Sequence, residues 1–277
     1  MNATRLTLAA SLLLACTAAP LLAQGPPFQI DDPVPVDFRH YEFYVFATAG
    51  GTPVEHDFAG PALEFNWGAI PRVQLHAVLP WGTVAPASGG GPTRFGLMDA
   101  ELGAKIAIFK ETDAFPQIGT FPMLELPTGN ADNGLGVGKA WFKLPIWLQK
   151  NIGKWLLDGG GGYTVVPQTG FRNFSYGGFL VKYSISERLE LGAEVFSHGA
   201  EGDVTPQYKS STLVDFGGYY HFHDPNKQLL FCYGRNIAGL SENYAYVGLY
   251  WTWGNDKEKS STPGDFMGQQ ANRLGRH

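Results

Sequence analysis

Cysteine is nearly absent from this chain. There are two, Cys16 and Cys232. Cys16 falls in an N-terminal leader, so a chain cleaved after Ala23 keeps Cys232 alone and forms no internal disulfide. Charge is scarce too. Asp, Glu, Lys and Arg make up 16% of the residues, and the net charge is −5. That balance gives no reason to expect nucleic acid as a partner. Beyond the leader no apolar run approaches the roughly 18 residues of a membrane-spanning helix. No cofactor motif is present. GLGVGK (134–139) has Asn133 and Ala140 where a phosphate loop needs glycine and a hydroxyl residue. It reads as a loop.

Glycine, aromatics and alternation are what the chain does have. Glycine numbers 36 and aromatics reach 14% of 277 residues, enough for one large β domain or two smaller ones. The leader carries Arg5 and then the apolar stretch Leu6 to Cys16, the plan of a signal peptide over 1–23. Leu13-Leu14-Ala15-Cys16 also fits a bacterial lipobox, with Cys16 as a lipidated N-terminus. Either reading exports the chain.

About twelve strands follow, each with period-two alternation between an apolar and a mixed face. In the third, Val73, Leu75, Ala77 and Leu79 oppose Arg72, Gln74 and His76. In the fourth, Leu102, Ala104 and Ile106 oppose Glu101, Gly103 and Lys105. Runs of about 9–13 residues match the 9–11 that a tilted strand needs to cross a bilayer. They exceed the usual 5–6 of soluble strands. Connections alternate as well. GAIPR, KETDAF, QKNIGK, SISER and HDPNKQ are short, whereas the other set is mostly longer and rich in Gly and Pro. This is the plan of an antiparallel up-and-down transmembrane β-barrel over 38–253, with both termini on the short-turn, periplasmic side. Residues 24–37 are too proline-rich for a central strand, and the polar tail 254–277 has little to fold with. Both are expected outside the barrel.

The face assignment then sorts the chemistry. The apolar face meets lipid. Tyr41, Trp67, Trp155, Tyr183, Tyr220, Tyr233, Trp251 and Trp253 are expected as an interfacial girdle. The mixed face lines the lumen. It is expected to hold Glu42, Glu64, Arg72, His76, Asp99, Glu101, Lys105, Glu125, Lys139, Lys143, Asp158, Lys182, Glu190, Glu194 and Asp215. The aromatics Tyr44, Phe46, Phe109, Phe121, Trp141, Trp147, Tyr219, Tyr244, Tyr246 and Tyr250 share it. Two uses of this lining compete. One is a passive channel whose charges select a polar or anionic solute, or whose rings make a slide for a small hydrophobic or amphipathic compound, aromatic or fatty. The other is an internal salt-bridge network, padded by rings, that closes a narrow lumen. Glycines at 159–162, 177–178 and 217–218 are expected to relieve curvature and make room for lumen rings. His221 and His223 stand at i, i+2, but no third ligand is fixed by spacing, so no metal is expected. The lipid face carries hardly any mid-strand Ser or His, so a lipid-facing catalytic pair has no residues and no enzyme is expected.

GPPFQIDDPVPVDFRHYEFYVFA (25–47), NWGAIPRVQLHAVLPWG (66–82), LELPTGNADNGLGVGKAWFKLPIWLQKNIGKW (124–155) and YSISERLELGAEVFSHG (183–199) resemble the bacterial outer-membrane family labelled "MetA-pathway of phenol degradation". The resemblance covers most of the mature chain and implies a transporter barrel. The label describes a genomic setting and implies no particular cargo. The last strand, NYAYVGLYWTW, places Gly248, Trp251 and Trp253 in the spacing of a terminal signal for the barrel-assembly machinery. The usual pattern ends there, whereas this chain continues to His277. The sequence therefore reads as an exported outer-membrane barrel whose partners are the lipid bilayer, the assembly machinery and a small solute, and it binds no nucleic acid. A structural barrel without transport and a soluble exported β protein are the alternatives.

Overall fold

The computed structural model describes residues 26–53, 55–87, 91–200 and 210–254. The leader with Cys16, and the tail beyond Gly254, lie outside the described residues. The rest is a single antiparallel sheet closed on itself into a twelve-stranded barrel.

The strands, in chain order, are β1 His40–Gly51, β2 Glu55–Ile70 and β3 Val73–Pro86. β4 comes in two pieces, Arg94–Leu97 and Ala100–Phe109, and β5 likewise, Gln117–Thr120 and Met123–Leu126. Then come β6 Trp141–Ile152, β7 Trp155–Val165, β8 Phe174–Ser186 and β9 Leu189–His198. β10 Ser211–His221, β11 Lys227–Ala238 and β12 Asn243–Gly254 complete the ring. Each strand pairs with its sequence neighbours, and β12 returns to β1 with His40 opposite Gly254 and Gly51 opposite Asn243. Closure leaves no edge, which lipid would not tolerate.

Alternation fixes the two surfaces. Outward-pointing Phe65, Leu75, Leu102, Leu144, Phe179 and Leu249 are exposed, while Glu42, Glu64, His76, Lys105, Asp158 and Glu194 are buried inside. A soluble barrel would reverse this. Aromatic clusters sit toward the short-turn end. Tyr41 stacks on Trp67 (6.5 Å between centroids) and on Trp253 (5.7 Å), and Trp155 packs on Tyr183 at 4.6 Å.

Proline explains two of the irregularities. The β2–β3 register shifts between Ala59 and Ala62, around Pro61, because proline cannot donate to the ladder. β5 is interrupted at Phe121–Pro122 for the same reason, although Ala104 N still donates to Pro122 O at 3.1 Å. β4 breaks at Met98–Asp99, where Met98 N reaches Pro80 O at 2.9 Å and the Asp99 carboxylate turns to a loop. The strands also run further than expected at the long-loop end. The β1–β2 connection shrinks from the expected long loop to residues 52–54, because the hairpin continues to Gly51 and resumes at Glu55.

Residues 26–37 overturn one expectation. The segment does not lie outside the barrel but threads its lumen. Its backbone and side chains touch the inner faces of β3, β4, β9 and β10. Its sequence was rightly read as no strand, since it forms none.

The seam gives the first prediction. Trp253 and Trp251 cross it to Tyr41 and to Phe43, the latter at 6.1 Å, and each ring pair contributes about 0.5–1.5 kcal/mol. Trp251→Ala combined with Trp253→Ala is expected to lower the yield of barrel that migrates heat-modifiably on a detergent gel. Unchanged yield would contradict this.

Candidate solute-binding lumen

A hydrogen-bonded chain runs along the inner wall from β12 to β6. Tyr250 Oη donates to Glu42 Oε1 at 2.8 Å, and Tyr44 Oη donates to the other oxygen at 3.3 Å. Asn66 Nδ2 bridges Glu42 (3.3 Å) and Glu64 (2.8 Å). His76 continues it, with Nδ1 2.7 Å from Asn66 Oδ1 and Nε2 3.0 Å from Glu101 Oε1. Lys143 Nζ ends the chain between Glu101 (2.9 Å) and Glu125 (3.2 Å). The strand period builds this chain. Glu42 and Tyr44 are two apart on β1, and Glu64 and Asn66 two apart on β2, so each pair shares the inner face.

Lys105 does something different. Its Nζ sits 2.8 Å from Asp31 and 3.1 Å from Asp32, both in the threaded segment. On the far wall Glu194 accepts the backbone N–H groups of Ile30 (2.8 Å) and Gln29 (3.1 Å). Val36 N donates to Gln74 Oε1 at 3.0 Å, and Gln117 Nε2 donates to Pro33 O at 3.3 Å. Phe28 lies 6.3 Å from the Tyr219 ring. The segment is thus held from opposite walls. Sequence reading picked out Lys105 and Glu194 but not their partners, because Asp31, Asp32 and Gln29 belong to no periodic run.

The other inner residues cluster on β7 to β10. Lys182 Nζ stands 4.6 Å over the Tyr219 ring, and Glu190 meets His221 Nε2 at 3.2 Å. Asp158 and Asp215 are buried, with Asp215 directly opposite Glu194 in the ladder. Tyr246 and Trp147 are buried on the same surface.

Three residues expected in the lumen lie elsewhere. Arg72 occupies the β2–β3 turn with φ 70°, exposed, and its guanidinium reaches the Ile108 carbonyl. Lys139 is exposed in the loop before β6, and Phe109 is exposed at the end of β4. For Arg72 and Lys139 the alternating phase was carried past the end of the strand, and for Phe109 it was carried through a register shift between Ala107 and Phe109. Asp99 does line the interior, but its carboxylate clamps the loop 127–140 by accepting from Gly129 N (2.9 Å) and Val137 N (2.8 Å). Leu135 of that loop is buried as a result. His221 and His223 part company, since His223 Nδ1 accepts from Arg188 at 2.9 Å.

Two cavities remain above the threaded segment. One, of about 650 Å³, is lined by Phe46, His76, Met98, Leu135, Trp141 and Lys143 among others. The second, of about 500 Å³, has Trp141, Trp147, Phe174, Tyr176, Phe196 and Tyr244 in its wall together with charged residues such as Asp57, Lys143 and Glu242. Asp31, Thr48, Glu101, Trp141 and Lys143 border both, so the two adjoin. Glycine makes the ring wall possible. A Cβ at Gly160 would come within 3.0 Å of the Trp147 ring, and one at Gly162 within 2.8 Å of Tyr176 Oη. Inward carboxylates (Glu42, Glu64, Glu101, Glu125, Asp158, Glu190, Glu194, Asp215) outnumber the inward lysines 105, 143 and 182.

This architecture is that of known outer-membrane barrels. The outer membrane channel COG4313 from Pseudomonas putida F1 matches over 80% of this chain and 98% of its own, with TM-score 0.68 and 15% identity. The NanC porin matches 76% of this chain and 98% of its own, with TM-score 0.51 and 11% identity. The translocator domain of the autotransporter NalP from Neisseria meningitidis matches 76% and 88%, with TM-score 0.51 and 10% identity. At these identities the likeness is one of fold. No family model and no curated protein matches the sequence.

Lys105 yields the second prediction. Lys105→Met leaves Asp31 and Asp32 without their cation, a loss of about 3–5 kcal/mol for a buried pair. Hydrogen exchange at the Gln29 and Ile30 amides is expected to accelerate while the barrel strands stay protected. Unaltered exchange at those two amides would show that Lys105 does not hold the segment.

Proposed function

We propose that this chain is an outer-membrane channel for small, neutral or amphipathic solutes, stoppered at its periplasmic end by residues 26–37. One observation carries the reading. The lumen holds adjoining cavities with aromatic walls toward the long loops, while the threaded segment fills the barrel below them. In an outer-membrane barrel the long loops face outward and the short turns face the periplasm. A solute therefore enters from outside and meets rings first. The excess of inner carboxylates disfavours the anionic solute that the lining residues suggested from sequence. The mixed-sign network stiffens the wall and leaves the aromatic side of the lumen as the solute path. The resemblance to the "MetA-pathway of phenol degradation" barrels supports the same class of function. The leader over 1–23 and the signal at Gly248, Trp251 and Trp253 fit export and insertion by the barrel-assembly machinery.

A second reading has its own support. The ion pairs of Lys105 and the Glu194 clamp favour a permanently closed barrel with a structural role. Planar-bilayer conductance separates the two. The full chain is expected to pass a small current. A chain lacking residues 26–36 is expected to pass a several-fold larger one, since those residues form no part of the sheet. Silence from both would leave the structural reading standing.

A further inference from the structure

The lumen shows how it holds an ammonium group, because three of its own are inside. Lys105 Nζ lies 5.0 Å over the Phe121 ring and between Asp31 and Asp32. Lys143 Nζ lies 5.0 Å over Trp141 and between Glu101 and Glu125. Lys182 Nζ lies 4.6 Å over Tyr219, in the field of Glu190 and Asp158. Each cation thus rests on a ring face and answers carboxylates. Both attractions strengthen where water is displaced.

The smaller cavity, of about 500 Å³, repeats those ingredients. Phe174, Tyr176, Phe196 and Tyr244 line it and are half-buried, so part of each ring is open. Four acids border it, Asp31, Asp57, Glu101 and Glu242, against Lys143 as the one lysine among the described residues. Lys105 and Lys143 already answer Asp31 and Glu101, and Asn236 Nδ2 donates to Glu242 at 3.4 Å. His198 is tied at both ring nitrogens, to Gly199 O at 2.8 Å and Ser211 Oγ at 2.7 Å. Asp57 is half-buried and has no ion-pair partner among the described residues. The ladder fixes its place. Asp57 stands opposite Gly50, and Gly50 opposite Tyr244. A Cβ at Gly50 would collide with the Asp57 carboxylate, so the acid lies over a glycine floor with the tyrosine beyond it.

We propose that this cavity binds an organic ammonium ion, an amine cation on a small apolar body. The ammonium sits between the Asp57 carboxylate and the Tyr244 ring, and the body lies among Phe174, Tyr176 and Phe196. A bare metal ion does not suit the place, since no three His, Cys, Asp or Glu side chains gather as ligands among the described residues. A neutral body of the same shape leaves the carboxylate unanswered, and an anion meets it with like charge. This inference rests on the reading of the lumen as a solute path and names the charge that the path selects.

The test is calorimetric titration of the purified full-length barrel in dodecylmaltoside, an uncharged detergent, at fixed ionic strength with empty micelles as the blank. The probes are benzylammonium, benzyl alcohol and benzoate, which share one ring and differ in charge. The wild type is expected to bind benzylammonium about tenfold tighter than benzyl alcohol, with benzoate weakest. Asp57→Asn keeps the shape and removes the charge. It is expected to bring benzylammonium down to benzyl alcohol and leave the alcohol unchanged, with heat-modifiable migration reporting the fold. Asp224→Asn, in an exposed turn at the other end of the barrel, is expected to change nothing. Benzyl alcohol bound as tightly as benzylammonium by the wild type overturns the proposal without recourse to a variant. So does a folded Asp57→Asn barrel that still prefers the cation, or an Asp224→Asn barrel that loses as much as Asp57→Asn. Cation-selective binding by a barrel that passes no current retires the channel reading and keeps the site. Current without preference among the three probes does the reverse.

Discussion

The hydrogen-bonded seam between β1 and β12 is the contact on which the rest of the molecule depends. It pairs the two strands from His40–Gly254 to Gly51–Asn243. Open, it would leave two rows of backbone donors and acceptors in hydrocarbon, at several kcal/mol for each unpaired group. Closed, it sets which way each alternate side chain points. Tyr41, Phe43 and Trp253 go to the lipid face, and Glu42, Tyr44 and Tyr250 go inside. The inward charges then have only one another for company. The chain from Tyr250 through Glu42, Asn66, His76 and Glu101 to Lys143 is the physical answer to that confinement.

The interior is divided by chemistry. The wall of β12 and β1 to β4 carries most of the polar chain, and its lysine at 105 grips the threaded segment. The opposite wall, β6 to β9, combines glycine with large rings. A ring as large as Trp147 fits inside a twelve-stranded barrel because its neighbour across the ladder is Gly160. The glycine run therefore shapes the cavity beside those rings.

Strand number, face assignment and the aromatic seam were legible in the sequence because a barrel repeats one rule, period two, at every strand. Glu42, Lys105, Trp147 and Tyr250 all obey it, and all are inside. The rule failed where strands stop. Arg72 sits in a left-handed turn and Lys139 in a loop, and alternation has no meaning at either place. It was silent on residues 26–37. Nothing in a proline-rich stretch says that its aspartates will find a lysine some seventy positions on, because that contact depends on the closed ring around it.

That segment passes without a break into β1, with His40 N donating to Asp37 O at 2.9 Å at the junction. A stopper on so short a leash never becomes dilute. Its effective concentration at its own seat is of millimolar order. Any excursion ends by unimolecular return, and occupancy of the lumen is independent of how much protein the membrane holds. On the proposed channel reading an arriving solute competes with a tethered rival, and its uptake depends on its own concentration against that fixed internal standard.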